Sequence, residues 1–147
     1  MKIILPLSIA IPRKTKKDII FRPNLNFYRN AHHMILSQAK IAWKENMVAS
    51  VVAHDGIWLS TSLFPKPPCH LRYTIFPASG RRFDIANVLS IIQKFTDDVL
   101  VEYGYLPDDS FKIIPAVDYR FGKIDKENPR IELEVKTLCE DYNDLPF

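Results

Sequence analysis

Two short segments of the chain combine acidic side chains with basic or amide neighbours. In the segment 81–87, two arginines precede Asp84 and Asn87 follows it, and a second segment contains the adjacent pair Asp108–Asp109. Carboxylates bind hard divalent cations such as Mg²⁺, and arginines bind the oxygens of a phosphodiester. The two segments together predict a site that holds a metal ion and a polyanion at the same time.

The candidate metal ligands are Asp84, Asp108 and Asp109. Each of them also has an ordinary structural interpretation. An aspartate commonly caps the amino terminus of a helix, and an aspartate pair after a proline commonly belongs to a turn. Asn87 would occupy the third position of the helix that Asp84 caps. It is either part of the site or a structural residue of the first helical turn. Mg²⁺ is the expected metal and Mn²⁺ the alternative, because both accept oxygen ligands.

Basic residues are concentrated near the amino terminus and immediately before Asp84. We predict that a nucleic-acid backbone is contacted by Arg13, Lys14, Lys16, Lys17, Arg29, Arg81 and Arg82. The alternative for the run from residue 13 to residue 17 is a solvated loop. Phe27, Tyr28 and the pair His32–His33 are candidates for stacking on unpaired bases, although packing is the more common role of such residues. Recognition by nucleic-acid shape is expected rather than base-specific contacts.

The composition is that of an ordinary soluble domain. The chain has 147 residues, 47% of them hydrophobic and 25% charged, and its net charge is only +3, so any nucleic-acid footprint must be local. Cys69 and Cys139 lie far apart without a C-x-x-C spacing, which favours reduced thiols and a cytoplasmic location. No apolar stretch is long enough to predict a membrane span. With four glycines and no glycine-rich phosphate loop, a small metabolic enzyme is disfavoured.

Hydrophobic periodicity predicts the elements that position these residues. Strands are expected at 3–10, 69–77, 111–121 and 130–138, helices at 32–53 and 85–103, and loops at 11–30 and 55–68. Asp84 is the expected N-cap of the second helix, and Gly104 is expected to end it. The order β-α-β-α-β-β predicts an α+β domain over residues 1–139, with two main helices against a small mixed or antiparallel sheet. Residues 140–147 are expected to form an acidic tail.

The length of the second helix limits the geometry of the site. A helix of about 19 residues spans roughly 28 Å, and Asp109 lies just beyond its end. Asp84 and Asp109 of one straight helix are therefore too far apart for one metal ion. Either the helix breaks, or a second copy of the chain supplies the missing ligand. We predict a homodimer, since a twofold dimer provides two equivalent sites.

The segment from Asp84 to Asp109 resembles the RusA family of Holliday-junction endonucleases. In that family an Asp-x-Asp-Asn motif opens a helix, and an Asp-Asp pair follows in the next turn. Asp84 and Asn87 match the motif, Asp109 matches the second residue of the pair, and Ala86 stands where the motif has its second aspartate. The resemblance covers roughly residues 70–138. Looser similarity extends over the whole chain, including Asn26–Arg29, which is similar to an Asn/Tyr/Arg-rich arm of the family.

The resemblance implies a RusA-like fold and metal-dependent cutting of Holliday junctions or other branched DNA by paired nicks, in a protein encoded by a phage or prophage. It implies DNA contacts from Asn26, Tyr28 and Arg29 and catalytic roles for Asp84, Asn87, Asp108 and Asp109. The family also uses a lysine of the motif helix. The direct offset gives Ser90, whereas counting back from Asp109 gives Lys94, which is the candidate for stabilising transition-state charge; a solvated lysine is the alternative.

Ala86 leaves three interpretations of the metal site open. Asp108 or another acid replaces the missing ligand, Asn87 and water complete the coordination shell, or the protein is a weak or inactive nuclease. Mg²⁺ retains several waters, so the loss of one carboxylate need not abolish binding. The third interpretation corresponds to a catalytically silent protein that binds branched DNA or acts as an adaptor.

The last eight residues resemble the acidic tip of bacterial single-stranded DNA-binding proteins. The similarity is carried by Asp144, Leu145, Pro146 and Phe147. A terminal phenylalanine can fill an apolar pocket while nearby carboxylates meet a basic rim. The resemblance implies docking on host proteins that bind this tip; the alternative is an ordinary disordered acidic end.

Overall fold

The computed structural model describes residues 1–55 and 61–138, with side chains for residues 1–49 and 61–138. In chain order the elements are β1 (Lys2–Leu5), β2 (Ile9–Ile11), β3 (Ile19–Phe21), α1 (Leu25–Asn30), α2 (His33–Asp55), a 3₁₀ turn (Thr61–Leu63), β4 (Cys69–Phe76), α3 (Ile85–Glu102), β5 (Ala116–Phe121) and β6 (Arg130–Thr137). The acidic tail and Cys139 lie outside the described residues.

A four-stranded mixed sheet in the order β1-β6-β4-β5 forms the centre of the fold. β6 is antiparallel to both β1 and β4, whereas β4 and β5 are parallel because α3 carries the chain from the end of one strand back to the start of the other. Alternate residues of β4 are buried, from Cys69 to Ile75, as a half-buried strand requires. The predicted α+β class with a mixed sheet is confirmed.

α2 and α3 contact each other and pack against the buried face of this sheet. Phe95 of α3 occupies the middle of the core, where its ring stacks on Phe21 at 5.6 Å and meets the Trp43 ring edge-on at 6.3 Å. The opposite face of the sheet carries charged side chains and is partly exposed. Over the described ranges, no helix combines the length and the apolar character needed to cross a bilayer.

The amino-terminal quarter of the chain differs from the prediction. The strand expected at 3–10 is two strands in different sheets, since Pro6 has no backbone N–H to continue the ladder. The loop expected at 11–30 contains β3, which pairs with β2 as a hairpin, and α1, which Asn24 caps by accepting a hydrogen bond from Phe27 N at 2.8 Å. The observed order is β-β-β-α-α-β-α-β-β instead of β-α-β-α-β-β.

The two predicted main helices and the last strand lie within two residues of their expected bounds. The strand expected at 111–121 begins only at Ala116, because the preceding residues form a turn in which Ser110 O accepts from Ile113 N and Ile114 N, at 2.9 and 2.8 Å. α3 ends as predicted at Gly104, whose φ of 73° is a left-handed conformation that glycine adopts without strain. The Leu100 carbonyl accepts from Tyr105 N at 2.9 Å and closes this end.

Candidate functional site

The amino terminus of α3 presents an exposed carboxylate. Asp84 caps the helix as predicted, with Oδ1 accepting from Ala86 N at 2.9 Å and from Asn87 N at 3.3 Å. Its second oxygen has no hydrogen-bond partner among the described residues. Asp84 therefore stabilises the helix with one oxygen while the other is available to a cation. Ala86 is exposed beside it and contributes no ligand.

Asn87 joins the start of α3 to the start of α1. Its Oδ1 accepts a hydrogen bond from Leu25 N at 3.1 Å, across 62 positions of sequence. Asn26 and Arg29, both exposed on the short helix that begins at Leu25, are thereby held beside the first turn of α3. The structure thus brings the arm predicted to contact DNA next to Asp84, and it gives Asn87 a positioning contact.

Arg81 and Arg82 precede Asp84 in the connection from β4 to α3. Both guanidinium groups are exposed, and neither has an ion-pair partner in the part of the chain that the structure describes. The segment 79–85 forms one side of an open cavity of about 380 Å³, whose other side is the segment 121–124. Unpaired arginines beside an exposed carboxylate are suited to hold a phosphate group against a bound cation.

The pair Asp108–Asp109 lies beyond the opposite end of α3. Asp108 Oδ1 accepts from Ser110 N at 2.7 Å, and hydrogen bonds from the Ser110 side chain and backbone lower the pKa of Asp108. The negative charge of Asp109 acts on Asp97, which follows Asp84 by 13 positions, or about 20 Å of helix axis. One chain therefore does not bring Asp84 and Asp109 together, as the helix length predicts.

No group of three His, Cys, Asp or Glu side chains that would suit a metal ion is formed by the described residues of one chain. Asp84 alone does not make a complete site, so a metal ion there needs further ligands. α3 is unbroken, which removes one of the two arrangements considered above. An unbroken α3 is compatible with completion of the site by a second copy. Lys94 is exposed. It lies about 15 Å from Asp84 along the axis of α3, in the direction of the acidic pair.

The basic run lies in the loop that joins β2 to β3. Arg13, Lys14, Lys16 and Lys17 are all exposed there, and none pairs with a carboxylate of the described residues. The aromatic residues of the arm pack instead of facing outward. Phe27 meets the Phe21 ring edge-on at 5.1 Å, and Tyr28 meets Phe95 edge-on at 6.2 Å. The packing alternative therefore describes both rings, whereas His32 and His33 stay exposed with ring centroids 4.2 Å apart.

The cations on the outer face of the sheet are neutralised locally. Arg72 lies 3.4 Å from Asp118 and 3.4 Å from Glu134, while Lys2 and Arg130 both contact Glu132, at 2.8 and 2.7 Å. Arg72 lies directly across from both Asp118 and Glu134 in the register of the strands, whereas Lys2 reaches Glu132 diagonally and Arg130 contacts Glu132 along the same strand. A face on which the charges are balanced in this way is poorly suited to a polyanion. The unpaired cations of the basic loop and of the α3 amino terminus are therefore the better candidates.

A buried polar network was not anticipated from the sequence. Asp97 of α3 accepts from Tyr73 OH at 3.2 Å and from Gln93 Nε2 at 3.0 Å, and Tyr119 OH donates to Gln93 Oε1. Burial, helped by the charges of Asp109 and Asp98, raises the pKa of Asp97 to about 6, although its two hydrogen bonds act in the opposite direction. The available signal was the spacing of Gln93 and Asp97, four positions apart within the apolar stripe of the helix.

No known family model matches the chain, and no curated protein matches it either.

Proposed function

We propose that the protein is a metal-dependent endonuclease that cuts branched DNA, such as a Holliday junction, by paired nicks as a homodimer in the bacterial cytoplasm. One observation carries the proposal. Asp84 presents a carboxylate oxygen without a partner among the described residues, and it follows Arg81 and Arg82 closely in sequence, both of which are exposed and have no ion pair within the same residues. This combination provides a ligand for a hard cation and a holder for the phosphate that the cation would act on.

The homodimer follows from the same geometry. Asp84 and the acidic pair are separated by the full length of α3, which is roughly 27 Å for its 18 residues. In a twofold dimer, Asp109 of one copy can complete the site that Asp84 of the other copy begins. Two such sites related by the dimer axis would place one nick on each of two opposing strands, which is what a four-way junction requires.

Each residue has a defined role in the proposed reaction. Arg81 and Arg82 would hold the scissile phosphate, and Asp84 with Asp109 of the other copy would hold Mg²⁺ or Mn²⁺. When bound, the cation lowers the pKa of a coordinated water and polarises the phosphate. Water replaces one ester oxygen at phosphorus, so that the nick carries a phosphate on one end and a hydroxyl on the other. The resemblance implies Lys94 for balancing the extra negative charge of the transition state, but its position about 15 Å along the helix axis from Asp84 is beyond the reach of a lysine side chain in this site.

A second function, binding of branched DNA without cleavage, is favoured by one observation. Ala86 occupies the position of an expected carboxylate, and the described part of a single chain contains no group of three metal-binding side chains. Binding through the basic loop and the two arginines needs no metal ion. In that case the acidic tail, whose residues 144–147 would dock on host proteins, would make the protein an adaptor.

A cleavage assay separates the two functions. The protein is incubated with a labelled four-way junction and a matched linear duplex, in Mg²⁺, in Mn²⁺ and in chelator, beside the Asp84→Asn variant. Paired nicks in the junction alone, lost with chelator and in the variant, are the expected result. Tight junction binding in every condition without nicks would establish the second function and overturn the first.

A further inference from the structure

The cavity at the start of α3 has an apolar interior and a cationic rim. Phe83, Phe121 and Ile124 line it and remain 37%, 50% and 45% exposed, which is unusual for three large apolar side chains in one concave place. Arg81 and Arg82 stand at the same cavity without carboxylate partners in the described chain. The interior of the cavity therefore presents aromatic ring faces and apolar surface, and its rim carries positive charge.

The cavity wall that carries Phe121 and Ile124 is held in place by the backbone. Gly122 N donates to Ile75 O at 3.0 Å, and Asp125 N donates to Pro77 O at 2.9 Å, so that the segment 121–125 is fastened to the end of β4. A Cβ atom on Gly122 would lie only 2.5 Å from Cε1 of the Phe76 ring, which shows how closely the wall is packed. This wall is thus preformed, and ordering it on binding costs little conformational entropy.

A second set of contacts stabilises the wall that carries Phe121 and Ile124. Asp125 Oδ2 accepts from Arg130 at 2.7 Å, and the Arg130 guanidinium carbon lies 4.2 Å from the centroid of the Phe76 ring. Hydrogen bonds from Asn128 N and Arg130 lower the pKa of Asp125, so this pair is charged near neutral pH. Phe121 is therefore exposed on a fixed support, in contrast to a side chain on a free loop.

The ligand that matches this site is flat, apolar on its faces and attached to an anion. A nucleobase with its flanking phosphates has all three properties, because every base presents a π-face and its backbone carries the negative charge. A volume of about 380 Å³ accommodates a single base. Paired bases in a regular duplex are stacked and cannot enter a cavity on a protein surface, whereas a base at a branch point can leave the stack at low cost.

We propose that this cavity binds one unpaired nucleobase at the branch point, between Phe83 and Phe121, with the adjacent phosphates on Arg81 and Arg82. The inference rests on the proposed function for its DNA substrate and names the feature of that substrate that is recognised. Phe83 is followed directly by Asp84, so a base held at this ring lies within about one nucleotide of the residue proposed to hold the metal ion. The protein would then select branched over linear DNA because a branch point supplies an unpaired base next to the site of cleavage.

The contact between the unpaired base and the two phenylalanine rings can be measured alone by combining substitutions in the protein with removal of one base from the DNA. Fluorescence anisotropy in chelator gives the affinity for a duplex with one extra unpaired adenine and for the same duplex with an abasic residue there. Wild-type protein is expected to prefer the adenine by about 10-fold, from a stacking energy of 1–3 kcal/mol. The preference should fall below about 2-fold in Phe121→Leu and Phe83→Leu, and it should persist in Phe121→Tyr, which keeps a ring.

Leu63→Ala is the matched control, because Leu63 is 67% exposed and precedes Phe64, which packs against Tyr105 beyond the other end of α3. It should retain the wild-type preference. The inference would be overturned if wild-type protein and Phe121→Leu preferred the duplex with the unpaired adenine equally. It would also be overturned if the protein bound an acidic peptide that ends in phenylalanine and did not discriminate between the two duplexes. The anisotropy assay contains no metal ion. Absence of junction cleavage would therefore overturn the proposed function and leave the measured preference for the unpaired adenine unaffected.

Discussion

Asn87 Oδ1 accepts a hydrogen bond from the backbone N–H of Leu25 at 3.1 Å, so the first turn of α3 is fastened to the first turn of α1. The two residues are 62 positions apart, and each belongs to a helix whose cap is an Asp or Asn one to three residues earlier. The helix that Asp84 caps and the arm that carries Arg29 are consequently joined at their first turns. A residue that the RusA resemblance implicates in catalysis is in this structure a link between two predicted DNA contacts.

Removal of this link should destabilise the fold by about 1 kcal/mol, the usual net contribution of one hydrogen bond. Asn87→Ala is the test variant, and Asn87→Asp keeps an acceptor for Leu25 N. Denaturant unfolding should show a lower midpoint for the alanine variant alone. Asn128→Ala, in an exposed turn, is the control and should change little. Equal stability of Asn87→Ala and wild type would contradict the linking role.

The two functions of Asp84 are separable by substitution. Asn caps a helix as well as Asp does, whereas Ala costs about 1 kcal/mol at this position. Asp84→Asn should therefore keep wild-type thermal stability and lose junction cleavage by at least about 100-fold, because metal polarisation supplies several kcal/mol. Asp84→Ala should lose both. Full cleavage activity in Asp84→Asn would remove Asp84 from the metal site.

A shared active site predicts complementation between two inactive variants. Asp84→Asn and Asp109→Asn should each be inactive as homodimers. In a mixed dimer, one site carries both substitutions and the other carries neither, so mixing the two proteins with subunit exchange should restore single nicks. Absence of any nicking in the mixture, with exchange verified by differently tagged subunits, would argue against a site built from two copies.

The buried carboxyl group of Asp97 should lower the free energy of unfolding as the pH rises from 4 to 6. Its pKa is raised from 3.8 to about 6 on folding, so the unfolded chain loses this proton first as pH rises. Stability is fully present below pH 4 and falls between pH 4 and 6, by about 2–3 kcal/mol for a shift of this size. Asp97→Asn should therefore be more stable than wild type at pH 7.5 and similar to it at pH 4.

The amide also fits the local network, because rotation of the Gln93 side-chain amide reverses both of its hydrogen bonds. Asp18→Asn is the comparison variant, since Asp18 is exposed in the loop that joins β2 to β3. The stability of that variant should differ little from the stability of wild type at pH 7.5. If Asp97→Asn is no more stable than wild type at pH 7.5, the residue does not carry a buried charge.

The basic loop between β2 and β3 should contribute affinity without selectivity. Replacement of Lys14 and Lys16 by Gln should weaken junction and duplex binding by similar factors. It should also reduce the slope of log K against log salt concentration by about 2. Lys136→Gln is the matched control, because Lys136 is already paired with Glu134 at 3.3 Å on the sheet face. An unchanged salt slope in the double variant would exclude the loop from the DNA contact.

The two main helices were predictable because their signals are local. Asp84, the apolar stripe of α3 and Gly104 are all read from one window of sequence, and the structure confirms each of them. The pairing of β2 with β3 could not be predicted in this way. Three-residue strands have too few alternations to be distinguished from a loop, and their stability comes from Phe21 packing on Phe95 of a distant helix.

The arrangement of the candidate site residues was predictable only in part. The separation of Asp84 from the acidic pair followed from helix length alone. The cavity beside Asp84 did not, because its second wall contains Phe121 and Ile124, which reach the start of α3 through the parallel pairing of β4 with β5. Strand order is set by long-range contacts, and hydrophobic periodicity carries no information about it.

The balanced charges on the outer face of the sheet have a consequence for diffusion. A surface in which each cation is matched by a neighbouring carboxylate generates little potential beyond a Debye length of about 8 Å at physiological salt. Within the described residues, the cations of the basic loop and of the amino terminus of α3 are not matched in this way. Attraction of DNA over a distance should therefore be due to unmatched cations such as these and not to the sheet face, and the rate of association should fall as the salt concentration rises.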